Sequence, residues 1–186
     1  VFRSLTLLRR LALSPLLIDV GDAAGAHSRS IRSAKLEALR ERLVELAAEG
    51  HRALVFSQFT SFLDLVRADL DAHGLAYAYL DGSTRRRAEV VGAFRGGEAA
   101  VFLISRKAGG FGLTLTEADY VFLLDPWWNP AAEAQAVDRT HRIGQTRPVT
   151  VYRLIASGTI EEKVLALQQR KARLFQAVMD DDALFG

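Results

Sequence analysis

Between residues 135 and 145 the chain reads Gln135-Ala136-Val137-Asp138-Arg139-Thr140-His141-Arg142-Ile143-Gly144-Gln145. On a helix, Gln135, Arg139 and Arg142 fall at i, i+4 and i+7, so one face offers an amide and two guanidinium forks. Asn129 suits an N-cap, Pro130 the first helical position and Gly144 a left-handed stop. Arginine stays charged and can grip phosphate oxygens in bidentate fashion, which makes it the usual group for stabilising a transferring phosphoryl in trans. Charges at helical spacing also make ordinary solvated faces, so the setting of this helix decides what it does.

A second set of residues sits in runs that follow short apolar stretches. These are Ser57-Gln58-Phe59-Thr60, Asp81-Gly82-Ser83-Thr84, residues 105–114 with Lys107, Gly110 and Gly112, and Asp125-Pro126-Trp127-Trp128-Asn129-Pro130. Taken singly, each has a plain use as a tight turn, a helix cap or core packing. Taken together, glycine-exposed amides, hydroxyls, a lysine and an aromatic ring are what a sugar-phosphate backbone requires. Ser83, Thr84, Lys107 and Trp128 therefore form a nucleic-acid surface that fixes register without reading sequence. Two adjacent tryptophans at a strand end cannot both be buried on one side, so one is expected at the rim.

The elements that must position these runs alternate in type. Strands are expected at 53–56, 76–80, 100–104, 120–124 and 149–154, and helices over 33–48, 61–72, 84–94, 129–144 and 159–179. Thr159 to Glu162 has the form of a capping box, and Asp180 to Asp182 place unfavourable charge where the last helix should stop. Short, nearly continuous apolar strands between amphipathic helices indicate an α/β fold, a doubly wound parallel sheet covered on both faces. Ligands of such sheets bind beyond the carboxyl ends of the strands, where the four runs lie. Residues 1–20 read as a short amphipathic helix broken near Ser14-Pro15, and 21–32 as a linker.

Composition agrees with one folded, soluble domain: 186 residues, 49% apolar and 25% charged. The basic side is 20 arginines to 4 lysines, which suits phosphate contacts and equally reflects a GC-rich genome. The absence of cysteine excludes disulfides, thiol catalysis and Cys-ligated zinc, and fits a cytosolic protein. Arg9-Arg10 before an apolar run loosely imitates a signal peptide, but Pro15 and Asp19 interrupt it and no stretch reaches the roughly 18 apolar residues of a spanning helix. The chain opens on Val1 without an initiator Met and is expected to be part of something longer.

Residues 54–59, 80–84, 105–115, 125–130 and 135–145 resemble, in order and spacing, the C-terminal helicase motifs of SWI/SNF-family DNA-translocating ATPases of helicase superfamily two. The resemblance covers nearly all of the chain from Ser33 onward and implies a RecA-like second lobe over 33–158. It also implies a helical end of an inter-lobe insertion with a linker over 1–32, and a brace helix with an acidic tail over 159–186. A prokaryotic member, cytoplasmic and nucleoid-associated, is expected. By resemblance, Arg139 and Arg142 are arginine fingers towards ATP on the other lobe, and Gln135 and Asp138 belong to the same inter-lobe motif. Gly110 and Gly112 border the nucleotide cleft; Ser57, Gln58, Ser83, Thr84, Lys107 and Trp128 are DNA contacts. Thr114 and Arg106 depart from the family, which usually has Asn and a small polar residue there.

None of Lys35, Lys107, Lys163 and Lys171 follows a glycine, and no Asp-Glu pair is present, so a phosphate-binding Gly-Lys-Ser/Thr loop and a Mg²⁺-holding pair are both missing. ATP and Mg²⁺ are thus expected in the full-length protein, with nothing bound tightly to this chain, no metal ligands in it and no turnover by it alone. The expected partners are double-stranded DNA, the first RecA-like lobe of the same polypeptide and a DNA-bound protein. A membrane is excluded, and a monomer is expected because no long heptad or large apolar patch is evident. A strand-separating DNA or RNA helicase and a non-catalytic DNA-binding module are the alternatives.

Overall fold

The computed structural model describes residues 2–18, 33–108, 115–138 and 148–182. A five-stranded sheet organises them, with strands β1 (Ala53–Ser57), β2 (Tyr77–Leu80), β3 (Val101–Ser105), β4 (Tyr120–Leu123) and β5 (Thr150–Arg153) in the order β2-β3-β1-β4-β5. Every pairing is parallel, with Val55 opposite Leu103 on one side and Phe122 on the other. This is the expected α/β arrangement. β1 and β3 are buried at every position, as strands covered on both faces must be.

Strand alternation divides the core into two layers. Val55, Leu103 and Phe122 face α2 (Ala34–Ala48) and α3 (Thr60–Ala72), which contribute Leu39, Leu43, Phe62 and Leu63. Leu54, Phe56, Phe102 and Ile104 face the other way, against Phe94 of α4 (Arg87–Gly96) and Ala136 of α5 (Pro130–Val137). Ser33 caps α2 by accepting from Leu36 N at 3.4 Å, and Asn129 caps α5 by accepting from Ala131 N at 3.0 Å, with Pro130 following. Gly97 ends α4 at φ 87°, a left-handed conformation in which a side chain is strained.

Three boundaries differ from the sequence reading. α4 begins at Arg87, later than expected, because Thr84 Oγ1 turns back to Asp81 and Ser83 does the same, leaving no side-chain cap at Arg86. α6 (Ile160–Asp182) continues through the three aspartates, since charge against a helix dipole costs at most about 1 kcal/mol at a helix end. Its capping box is displaced: Thr159 Oγ1 accepts from Glu161 N at 3.2 Å, while Glu162 reaches Gly158 N at 3.1 Å. α5 is described as far as Val137, and its expected continuation to Gly144, like the linker at 21–32, lies outside the described residues.

Ahead of the sheet, α1 (Phe2–Leu13) leads through a short 3₁₀ turn at Pro15–Leu17 and seats Leu13 and Leu17 in the first core layer. It also packs against α6. Leu7, Leu8, Leu11 and Leu16 remain exposed, and the stripe that meets the body carries Arg9, Ala12 and Leu13.

Candidate nucleic-acid interface

The carboxyl edge of the sheet is knitted past the ends of the strands. Arg106 N donates to Ser57 O at 2.9 Å, Leu124 N to Phe56 O at 3.0 Å and Leu154 N to Leu123 O at 3.0 Å. The loops after β1, β3 and β4 therefore start side by side. At their centre stands Asp125, almost wholly buried. Ser57 Oγ donates to Asp125 Oδ2 at 2.5 Å, Gln58 N to the same oxygen at 3.1 Å, and Gln58 Nε2 to Oδ1 at 2.7 Å. Ser57 Oγ in turn accepts from Phe59 N at 3.1 Å. Burial pushes the Asp125 carboxyl above the ordinary aspartate range, more strongly than the hydrogen bonds from Ser57 and Gln58 pull it down.

This network corrects one expectation. Ser57 is fully buried and its hydroxyl is committed to Asp125, so it supports the loop from inside and does not itself face DNA. Gln58 is half-buried, its side-chain amide held by Asp125 and by Pro126 O at 3.0 Å. The tryptophans divide as expected: Trp127 is 4% exposed and meets Phe56 edge to face at 6.3 Å, whereas Trp128 is 38% exposed on the rim.

On the other side of β1, Asp81 gathers the next loop. Its Oδ1 accepts from Ser83 N at 2.8 Å, Ser83 Oγ at 2.7 Å and Thr84 Oγ1 at 3.2 Å, and its Oδ2 from Tyr79 OH at 3.1 Å. The Ser83 hydroxyl leads the interactions that hold this carboxyl below the usual range, and burial pushes the Tyr79 phenol up to about 12. Both hydroxyl protons thus point at Asp81, and a phosphate would have to replace it. A Cβ placed on Gly82 would stand 4.0 Å from Lys107 Cβ, so the β2 and β3 loops meet there. Lys107 and Arg106 are exposed, and so are Arg85 and Arg86, which the sequence reading left out. Arg86 reaches Glu89 at 3.5 Å with both side chains largely in solvent, a pair worth little.

Gln135 and Asp138 are exposed on α5 and at its end. Arg139, Arg142, Gly110 and Gly112 lie outside the described residues. Among the described residues no cluster of three or more His, Asp or Glu side chains is placed to hold a metal ion. The donor set at this edge, cations, hydroxyls and amides, matches phosphate oxygens in its chemistry. No helix of the described residues is long and apolar enough to cross a membrane.

Two further anchors fix the rear of the site and were missed in the sequence. Glu133 on α5 accepts from Trp127 N at 3.3 Å, from Arg153 Nε of β5 at 2.6 Å and from Gln168 Nε2 of α6 at 3.0 Å; the same Gln168 amide donates to Trp127 O. Lys35 Nζ donates to Leu124 O at 2.7 Å, Leu154 O at 2.9 Å and Glu161 Oε2 at 2.6 Å, and both members of the ion pair are buried. Lys35 had a legible signal: a cation in the first turn of α2 opposes the helix dipole and so implies a tertiary partner.

The family described as Helicase conserved C-terminal domain matches residues 34–144. DNA repair protein RAD5 of Cryptococcus neoformans is 46% identical over 159 residues, which are 82% of this chain and 13% of that protein. Chromatin-remodeling ATPase INO80 of Saccharomyces cerevisiae is 46% identical over 151 residues, 80% of this chain and 10% of its own length. The chain therefore spans only about a tenth of these curated relatives. In structure it is similar to the C-terminal part of the Fun30 ATPase domain, with a TM-score of 0.70 at 36% identity over 74% of this chain and 45% of that one. RAD5 and INO80 are here eukaryotic proteins, and they lend no support to the prokaryotic source expected above. With motifs, sheet order and relatives in agreement, the chain belongs to the helicase conserved C-terminal domain family, in the form carried by SWI/SNF-type ATPases.

Proposed function

We propose that this chain is the second motor lobe of an ATP-dependent translocase on double-stranded DNA, joined in one polypeptide to a first RecA-like lobe that holds the nucleotide. The observation that carries the reading is the meeting of two chemistries on one sheet edge. Cationic loops with Lys107 flank β1 on one side, and on the other an exposed Trp128 immediately precedes the N-cap of α5. The sequence that continues α5 holds Arg139 and Arg142. ATP with Mg²⁺, bound by the first lobe, supplies the phosphoryl transfer. Arg139 and Arg142 offset charge on the γ-phosphoryl group, with Gln135 and Asp138 orienting the approach and Gly110 and Gly112 lining the cleft. Lys107, Trp128, Ser83 and Thr84 grip the DNA backbone, with Gln58 behind them and Ser57 beneath. Ser83 and Thr84 exchange the Asp81 carboxylate for a phosphate oxygen, an acceptor of the same kind. Closure of the lobes around ATP and release after hydrolysis then move the grip along the duplex without parting its strands. Such a motor works wherever the DNA is packaged, on DNA carrying a bound protein.

Arg142→Ala in the full-length protein is expected to lower DNA-stimulated ATP turnover roughly 10³-fold or more, the usual worth of an arginine finger. Near-normal turnover would sink the assignment. Duplex DNA is the expected activator; stronger stimulation by RNA or by single strands would move the protein to the strand-separating class. If neither lobe together nor this chain alone hydrolyses ATP, the binding-module reading replaces both.

A further inference from the structure

Arg9 takes a full charge from α1 into a nearly closed site, where 7% of the residue stays exposed. Its Nη2 donates to Pro126 O at 2.8 Å, the carbonyl that also accepts from Gln58 Nε2. The guanidinium carbon lies 5.3 Å from the Phe59 ring centroid and 5.5 Å from that of Trp128. One cation thus touches the loop after β1 and the loop after β4 together, with two rings and a carbonyl as partners. Desolvation makes such a placement costly, and a helix that only had to be seated would carry an apolar residue here, as it does at Leu13. Neighbouring Asp125 offers the strongest favourable charge, so guanidinium, carboxylate and ring faces form one unit.

Trp128 immediately precedes Asn129, the N-cap of α5. Trp127 is fixed in the core, whereas the Trp128 ring is half-exposed and takes the Arg9 cation. We propose that Arg9 is a positioning residue: it latches α1 to the loop 125–128, and thereby sets the pose of the Trp128 ring towards DNA at the N-cap of α5. The proposal rests on the reading of Trp128 as a DNA contact. Since α1 precedes the lobe in the chain, a displacement of α1 imposed from the ATP-holding side is delivered through Arg9 to the DNA-facing ring. Only a planar guanidinium covers two rings and a carbonyl at once; the point charge of lysine meets one of them.

The latch itself is tested in the 186-residue chain, which has two tryptophans, by making Trp128 the sole one with Trp127→Phe. In that background Arg9→Ala is expected to move Trp128 emission to the red and raise its quenching by acrylamide, with Arg9→Lys intermediate and far-ultraviolet circular dichroism unaltered. Unchanged emission and quenching overturn the latch. Should Arg9→Ala fail to fold, Arg9→Lys decides by the same readings. In the full-length ATPase, Arg9→Ala is expected to raise the duplex-DNA concentration for half-maximal turnover about tenfold, the scale of a desolvated cation–π contact, while turnover at saturating DNA falls less than about twofold. An unaltered half-maximal concentration overturns the coupling, and so does a fall confined to saturating turnover, which is the mark of a general structural defect. A wild-type protein that duplex DNA does not stimulate refutes the motor reading and leaves the latch to be judged by fluorescence.

Discussion

Asp125 is a carboxyl whose neighbours and burial pull in opposite directions. Ser57 and Gln58 favour its charged form, yet burial wins and raises the folded value above the ordinary 3.8. Between 3.8 and that raised value, the folded chain holds a proton that the unfolded chain has already released. Stability from this group is therefore complete below 3.8 and is lost as pH rises through the folded value. Asp125→Asn cannot ionise and removes this dependence. Urea melts from about pH 4 to pH 7 are expected to show the difference in unfolding free energy shifting towards the variant as pH rises. A difference that stays constant with pH would mean that Asp125 ionises alike in both states.

Among elements, the junction of α2, β4, β5 and α6 turns on one ion pair. Lys35 closes the carbonyl ends of two strands and binds the first turn of α6, where Glu161 also accepts from Ala156 N at 2.8 Å. Burial lowers the Lys35 ammonium below its usual range, so the pair matters chiefly because breaking it strands a buried charge. Lys35→Ala is expected to cost about 3–5 kcal/mol in denaturant unfolding, and Lys35→Met with Glu161→Gln to recover part of that loss. A single variant as stable as wild type would show that α6 is held by apolar contacts such as Val164 alone.

Elements of this kind were legible in the sequence wherever period decided them. The five strands and the helices α2 and α3 fall within a residue or two of where hydrophobic spacing places them, because both faces of the sheet are filled and a slip would expose a whole strand. The start of α4 was misplaced because Ser83 and Thr84 are good caps by type but serve Asp81 through space. Asp125 was visible within its run, and the rim position of Trp128 followed from two indoles that could not share one side. Arg9 was hidden for the opposite reason. A charge beside a run of leucines reads as a flank, and its hydrogen-bond partner Pro126 lies 117 residues away in the chain.

For the whole molecule, the proposed function makes the sheet edge a single charged rim whose grip depends on salt. Arg85 and Arg86 extend the rim that Lys107 and Arg106 begin, and each cation that meets a DNA phosphate releases counterions. Replacing Arg85 and Arg86 by Ala in the full-length protein is expected to flatten the slope of log binding constant against log salt by about 1.8, at ~0.9 per contact. Duplex-binding titrations over a salt series measure it, and an unchanged slope would place both arginines off the DNA path. The strand order has a mechanical consequence. β1 is bonded to β3 and β4 alike, and the β2–β3 loops and the root of α5 leave the sheet on opposite sides of it. Three strand spacings of about 4.8 Å separate β2 from β4. On the proposed function, grip and trigger are mounted on one inextensible bar: a pull at the phosphate end cannot be absorbed as stretch and must emerge at the other end as travel.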